Sequence, residues 1–291
     1  MENSVLARFG YHARLVRVFL SVSIQTAAAY RVNFATHLAH ALLNFAAGLL
    51  GLTVVFYQAQ TLNGWTYEAS LAVLGVYLTV SALRSLFISP SLDALAGMDG
   101  EVWQGTLDFT LLRPVDTQFL ASVRHWQPFA LLDLLLGVGV LGAAATQLGS
   151  ALSLAGWLSF LLALAAGTLT LYALLLAFTG LVFWSPGFLF TWVFDGLFQM
   201  ARYPVGFYPG ALRLLLTWVL PLGLITTIPA QALRAELAPG GLAASLAGAI
   251  LLTYGASMLF RAGLRRYASA SSGAQDRAIA LEQFPPAKRR K

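Results

Sequence analysis

The chain has 291 residues, of which 58% are hydrophobic and only 10% charged, with a mean hydropathy of +0.72. A soluble domain carries roughly 25% charged residues, so this chain lacks the polar surface to face water all round and reads as an integral membrane protein. It has no cysteine, which excludes disulfides, thiolate catalysis and cysteine-ligated metals; its formal charge of +6 gathers near the ends of apolar runs, as topology signals do, which argues against a nucleic-acid partner.

Residues 1–30 read as an amphipathic helix. Leu6, Phe9, Ala13, Val16 and Leu20 recur at helical spacing, while Arg14, Arg17 and Ser21 fall on another face. Such a helix can lie in the membrane interface with its arginines toward anionic headgroups, or pack as an ordinary cytoplasmic helix. No apolar core precedes a cleavage site, so the N-terminus is expected to stay on the protein and in the cytoplasm.

Apolar runs suited to crossing a ~30 Å hydrocarbon core follow at 34–57, 69–88, 129–148, 154–184, 188–203 and 242–260. Ser89-Pro90 is expected to stop the second, Ser185-Pro186-Gly187 divides the fourth from the fifth, and Pro204 ends the fifth. Residues 208–238 are apolar but broken by Pro209, Pro221 and Pro229, and each piece is too short to cross; they read as a re-entrant helical pair covered by protein or a wet cavity. With six spans and the N-terminus inside, the inner segments hold Arg8, Arg14, Arg17, Arg31, Arg84, Arg113, Arg124 and the basic tail. The outer segments hold only Arg202, Arg213 and Arg234. The expected architecture is therefore an all-α membrane domain over 1–268 with six transmembrane helices and both termini cytoplasmic, followed by a basic disordered tail at 269–291. No internal repeat supports an inverted-repeat transporter.

The long polar interval 89–127 carries Asp93, Asp99, Glu101, Asp108, Arg113, Asp116 and Arg124, yet keeps Leu95, Val102, Trp103, Leu107, Phe109, Leu111 and Leu112. A solvated linker has no need of these bulky residues, whereas a loop that folds and docks on a partner does. Pro114 ends one short helix and Asp116 is suited to cap a second over 117–126, which makes a compact elbow. Trp103, Leu107, Leu111 and Leu112 would enter a partner groove, with Glu101, Asp108 and Arg113 at its rim.

No Gly-x-x-x-x-Gly-Lys-Ser/Thr phosphate loop, Gly-x-Ser-x-Gly or His-Glu-x-x-His occurs, so the chain is not expected to hydrolyse ATP itself. His37 and His40 are three residues apart but lack a third ligand in the sequence, and read as headgroup-level polar residues rather than a metal site. Asp195 falls midway along the fifth run; an intramembrane carboxylate costs a few kcal/mol and needs a partner or a path to line. Arg84 and Asp133, near the inner ends of the second and third runs, read as interface-level charges placed where they could pair across the two spans.

Three stretches resemble the permease subunits of type-2 ATP-binding-cassette (ABC) exporters, in particular the bacterial branch found as paired permeases. They are Gly105-Thr106-Leu107-Asp108-Phe109 with Leu111-Leu112-Arg113-Pro114; Arg202-Tyr203-Pro204 followed by Tyr208-Pro209 and Leu212-Arg213; and Val219-Leu220-Pro221 with Ile228-Pro229-Ala230. The resemblance implies a coupling helix in the 89–127 loop, contributed here by Trp103, Gly105, Leu107, Asp108, Leu111, Leu112, Arg113 and Pro114. It implies a separate ATPase subunit that binds ATP and Mg, so that this chain needs no cofactor of its own, and a second permease, identical or homologous. It also implies residence in the bacterial plasma membrane. The substrate pathway is assigned to Asp195, Pro221 and Pro229. Two other readings stand beside it: a proton-coupled transporter built on Asp195, and a lipid-modifying enzyme using Asp93, Asp99, Glu101 and Asp108.

Overall fold

The computed structural model describes residues 2–29, 31–58, 60–97, 99–148, 153–185 and 190–283, with backbone alone for 2–9, 31–32, 190 and 268–283. The described residues are mostly helical, with no strand among them, and a single isolated bridge between Leu62 and Trp65 closes the first turn. In order, α1 is Glu2–Ala29, α2 Arg31–Gln58, α3 Tyr67–Leu83, α4 Ser89–Ala96, α5 Glu101–Gln104, α6 Leu107–Leu111, α7 Thr117–Val123, α8 Leu131–Gln147 and α9 Leu154–Leu181. Then come α10 (Phe190–Phe198), α11 (Gly210–Leu214), α12 (Ile228–Leu233) and α13 (Pro239–Gln283).

The centre of the bundle is α3. Thr66 caps it by accepting from the Ala69 N–H at 3.3 Å, and Glu68 in its first turn suits the helix dipole. Every residue from Ala69 to Val80 is buried, which is the packing expected of a helix apolar on all sides. Glycine lets α8 come into backbone contact with it: a Cβ at Gly75 would lie 2.9 Å from the Leu141 N, and one at Gly137 2.7 Å from the Thr79 N.

The second span does not stop at Pro90. It passes from α3 through a π-helical turn, Arg84–Ile88, and continues as α4 to Ala96. The Ser89 N–H bonds five residues back to the Arg84 carbonyl, and Pro90 has no N–H to offer the next one. The carbonyl of Leu86 instead accepts from the Gln127 N–H at 2.8 Å, so the far end of the 89–127 loop supplies the donor that proline lacks.

Among the described residues five helices are long and apolar enough to cross a membrane, or six if the bent pair Gly210–Val219 and Gly223–Leu233 counts as one: Asn33–Gln58, the run from Tyr67, Pro128–Gln147, Leu154–Leu181 and Pro239–Tyr267. The expected fifth span, 188–203, is shorter. Its first residues and most of the Ser185-Pro186-Gly187 break lie outside the described residues, and the remainder is α10 plus a 3-10 turn, Gln199–Arg202. It nevertheless runs the length of α3. Asp195 meets Arg84 at one end of α3, and the Gly206 carbonyl accepts from Asn63 Nδ2 at 2.9 Å near the other. The 3-10 turn and the extended Tyr203 gain more length per residue than an α-helix does. Phe198 against Tyr77, with ring centroids 5.3 Å apart, and Phe194 against Phe178, also at 5.3 Å, wedge this segment between α3 and α9.

The 208–238 stretch forms two short arms, Gly210–Val219 and Gly223–Leu233, bent by 72° around Pro221. Both ends of this region meet the same turn: Asn63 bonds Gly206, and the Arg234 guanidinium lies 5.3 Å from the Trp65 ring centroid. The bend reaches α9, where a Cβ at Gly167 would be 2.7 Å from the Ile225 carbonyl. At the C-terminus the backbone is helical as far as Gln283, through most of the segment expected to be a disordered tail; 284–291 lie outside the described residues.

Replacing Gly137 by alanine is expected to destabilise the bundle by about 1–3 kcal/mol through collision with the α3 backbone. Replacing Gly139, which has open space around it, should have little effect. Thermal unfolding of the two variants in the same detergent checks the contrast.

Candidate functional site

The 89–127 segment is a folded elbow rather than a strand of loop. α6 ends before Pro114, and Asp116 caps α7 by accepting from the Phe119 N–H at 2.9 Å. Gly105 closes α5 with φ +69°, a left-handed conformation that favours glycine. Glu101, expected at an exposed rim, turns inward. It pairs with Arg124, and Thr110 Oγ1 donates to its second oxygen at 2.6 Å, which ties α5, α6 and the end of α7 together.

The residues expected to dock divide into two sets. Trp103, Leu112, Asp108, Arg113 and Pro114 are exposed, Leu112 by 81%. Leu107 is fully buried and Leu111 half-buried against the core, because α6 must use one face to sit on the bundle. Phe109, 71% exposed, completes the outward surface with Trp103 and Leu112. Its position two residues after Leu107 on the same short helix was the available signal. An exposed group of this kind is what an interaction surface shows.

On its inner side the elbow is bonded to nearly every long helix. Ser91 Oγ donates to the His125 carbonyl at 2.9 Å and accepts its N–H at 2.8 Å. Ser122 shares a 2.7 Å hydrogen bond with the Tyr172 hydroxyl on α9, and Gln118 Nε2 donates to Ser257 Oγ on α13 at 2.8 Å. The Trp126 N–H donates to Ser23 Oγ on α1 at 3.2 Å, and Gln127 meets His37 on α2. Thus α1 lies against the elbow, with His12 edge-on to Phe119. Burial, then the neighbouring Arg124 guanidinium, push the His125 imidazole below its ordinary range, which favours the neutral ring.

Arg84 does not pair with Asp133. Its Nη2 pairs with Asp195 of α10, its Nε donates to Ser89 Oγ at 2.8 Å, and its guanidinium lies over the rings of Phe198 and Phe194 at 5.5 and 5.8 Å. Asp133 sits instead in the field of His40 and His37. Arg84 keeps the helical register of α3, its N–H bonding back to Val80, and it is the packing of α10 on that face that brings Asp195 to it, which spacing along α3 alone does not reveal. Asp195 therefore has a fixed cationic partner at the elbow end of α3. The loop carboxylates are dispersed, and among the described residues no three His, Asp or Glu side chains converge as a metal site would require.

Pro221 and Pro229 are both buried at the bend and at the start of α12. The 300 Å³ cavity beside them is lined by others, with Arg213, Thr217 and Gln231 supplying polar groups and Trp65, Val205 and Ile228 apolar ones. Arg202, counted among the outer residues by charge distribution, lies inside the bundle against α2 and α3.

A family model described as ABC-2 family transporter protein matches residues 42–271, most of the chain. No curated protein and no solved structure matches.

Asp195→Asn should destabilise the fold by about 1–3 kcal/mol, because it strands a largely buried arginine. Adding Arg84→Gln to that variant should restore part of the loss. A double-mutant cycle on the unfolding temperature tests both steps.

Proposed function

The chain belongs to the ABC-2 transporter family, and from that premise we propose that it is the permease subunit of an ATP-driven exporter, with the 89–127 elbow as the surface that receives the ATPase. A permease of this family is a multi-pass membrane component that works with an ABC ATPase and is not itself catalytic. The observation that carries the proposal is the two-sided construction of the elbow. Trp103, Phe109 and Leu112 face outward without cover, while Gln118, Ser122, Trp126 and Gln127 bond inward to α13, α9, α1 and α2. A push on the outer face is passed to four helices through short polar contacts, the kind of link that rigid-body switching requires.

In this reading the ATPase binds ATP and Mg, and its closure moves the elbow. The chain resides in the bacterial plasma membrane with both termini cytoplasmic, and α1 lies along the interface. The bent pair 210–233 is a re-entrant hairpin, supported by the meeting of both its ends with the 62–66 turn and by bend contacts with the middle of α9. The substrate path forms against a second permease, identical or homologous. The bare apolar faces of α2 and α13, with Leu43 and Leu251 each about 70% exposed, suit lipid or such a partner.

The test is a mild-detergent pull-down of the tagged chain, with mass spectrometry and an ATPase assay on the eluate. An ABC ATPase should co-purify. Phe109→Asp combined with Leu112→Asp should lower its recovery roughly tenfold without lowering the unfolding temperature of the permease. Leu107→Asp should instead destabilise the permease itself, since Leu107 is buried. Undiminished ATPase recovery with the double variant would refute the docking surface.

A further inference from the structure

Arg202 is a cation inside the bundle that the mechanism above leaves unused. It ends the 3-10 turn Gln199–Arg202, and its surroundings are the middles of two long helices. Nη2 donates to Asn44 Oδ1, halfway along α2, and the guanidinium lies 5.4 Å from the Tyr77 ring centroid on α3. The side-chain stem packs at Gly48 of α2, where a Cβ would lie 3.6 Å from Arg202 Cδ. The next residue holds α2 in place: a Cβ at Gly51 would lie 2.1 Å from the Tyr203 hydroxyl, so only glycine allows this approach.

Among the described residues no carboxylate pairs with Arg202. The three ion pairs join Arg84 to Asp195, Arg124 to Glu101 and Arg234 to Glu236. Its Nε is buried with no acceptor. A guanidinium offers five N–H donors; a neutral amide and a ring face soften its charge without neutralising it. An arginine among apolar helices is costly, and one kept without a carboxylate partner is by default a candidate functional group. Arg84 is the internal comparison, since it has similar aromatic neighbours and a carboxylate partner. Arg202 is only partly covered, and α2, which packs over it, has little of its own surface buried.

We propose that Arg202 is the recognition point for the anionic head of an amphipathic substrate, a carboxylate, phosphate or sulfate whose apolar tail lies along the neighbouring helices. Leu74, Tyr77 and Phe198 are buried and back the guanidinium from within the bundle, which leaves the tail to the exposed apolar faces of the neighbouring helices. Asn44 occupies the guanidinium while the site is empty and gives way to a charged acceptor, because a charge-assisted bond is about twice as strong as a neutral one. The proposal rests on the permease reading and names the substrate class for it.

Asn44→Asp tests it. The change is nearly isosteric and supplies the missing counter-ion from within, so it preserves the contact between α2 and Arg202 while removing the vacancy for an external anion. The full chain, purified in a neutral maltoside detergent, is titrated with dodecyl phosphate below its micelle concentration, and the unfolding temperature is followed. Wild type should be stabilised by dodecyl phosphate, and much less by inorganic phosphate or by zwitterionic dodecylphosphocholine at the same concentration. Asn44→Asp should unfold no earlier than wild type in neutral detergent, yet bind dodecyl phosphate at least roughly tenfold more weakly, as should Arg202→Gln. Equal stabilisation of wild type and Asn44→Asp would overturn the proposal, leaving Arg202 as a structural clamp. An equal response to inorganic phosphate or to dodecylphosphocholine would overturn it as well, the first by pointing to a free-anion site and the second to a detergent effect. No ATPase takes part, so failure here is distinct from failure of the pull-down.

Discussion

The structure depends on one continuous rod. The central helix α3, buried on every side, does not end at the expected proline but passes through the π-turn at Arg84–Ile88 into α4. A proline two residues past a helix end normally terminates the element, since it withdraws a donor and crowds the preceding turn. Here the extra residue of the π-turn relieves the register, and the orphan carbonyl of Leu86 finds its donor at Gln127, on the far side of the elbow. The bond closes the 89–127 segment into a loop whose two ends are held together, so that the elbow cannot swing independently of α3. In the proposed function this rigidity is what converts a force on the outer face into movement of the bundle.

The charges are arranged on the same principle. Glu101 and Arg124 bond within the elbow and draw α5 and α7 together. Arg84 and Asp195 join the rod to α10, beside the aromatic pair Phe194 and Phe198, whose rings stack 5.8 Å apart. Arg234 and Glu236 sit beside the first turn, with Arg234 over Trp65. Each of these pairs joins or braces segments that are distant or bent in the chain, where hydrophobic contact alone does not specify direction. Against this pattern Arg202 is anomalous, a guanidinium deep among α2 and α3 that meets an amide and a ring rather than a carboxylate. Among the described residues, Arg84, Arg124 and Arg234 have carboxylate partners and Arg202, packed between α2 and α3, has none, which places a positive potential there.

Close approach of backbones is the other recurring device. Where lipid is as apolar as leucine, helices gain nothing from burying large side chains against one another unless they also pack tightly, and glycine lets them do so. Gly75 and Gly137 bring α3 and α8 into contact, while Gly51 admits the Tyr203 hydroxyl under α2. These contacts leave the outer faces of α2, α8 and α13 apolar and bare, as lipid-facing surfaces are.

The amino-acid sequence by itself determined that this is a multi-pass helical membrane protein, because 58% hydrophobic residues with 10% charge leave no other way to satisfy the backbone. It also determined the caps and breaks that depend on neighbours along the chain: Asp116 before α7, Pro114 after α6, and the bend at Pro221. What only the tertiary structure decided concerns partners distant in sequence. Pro90 was legible as a helix stop, and the donor that lets the helix continue lies thirty-seven residues on, at Gln127 (127 − 90 = 37). Arg84 and Asp133 share a depth by linear count, but the packing of α10 against α3 brings Asp195, not Asp133, to Arg84. Leu107 and Leu112 are equally apolar, and only the seating of α6 on the bundle buries one and exposes the other. Arg202 read as an outer charge because it closes the 188–203 run beside Pro204; the structure turns its side chain back among α2 and α3, where Asn44 and Tyr77 meet it. Local capping and composition act through adjacent residues and can be read in order, whereas the direction of a side chain is set by whatever the fold brings opposite it.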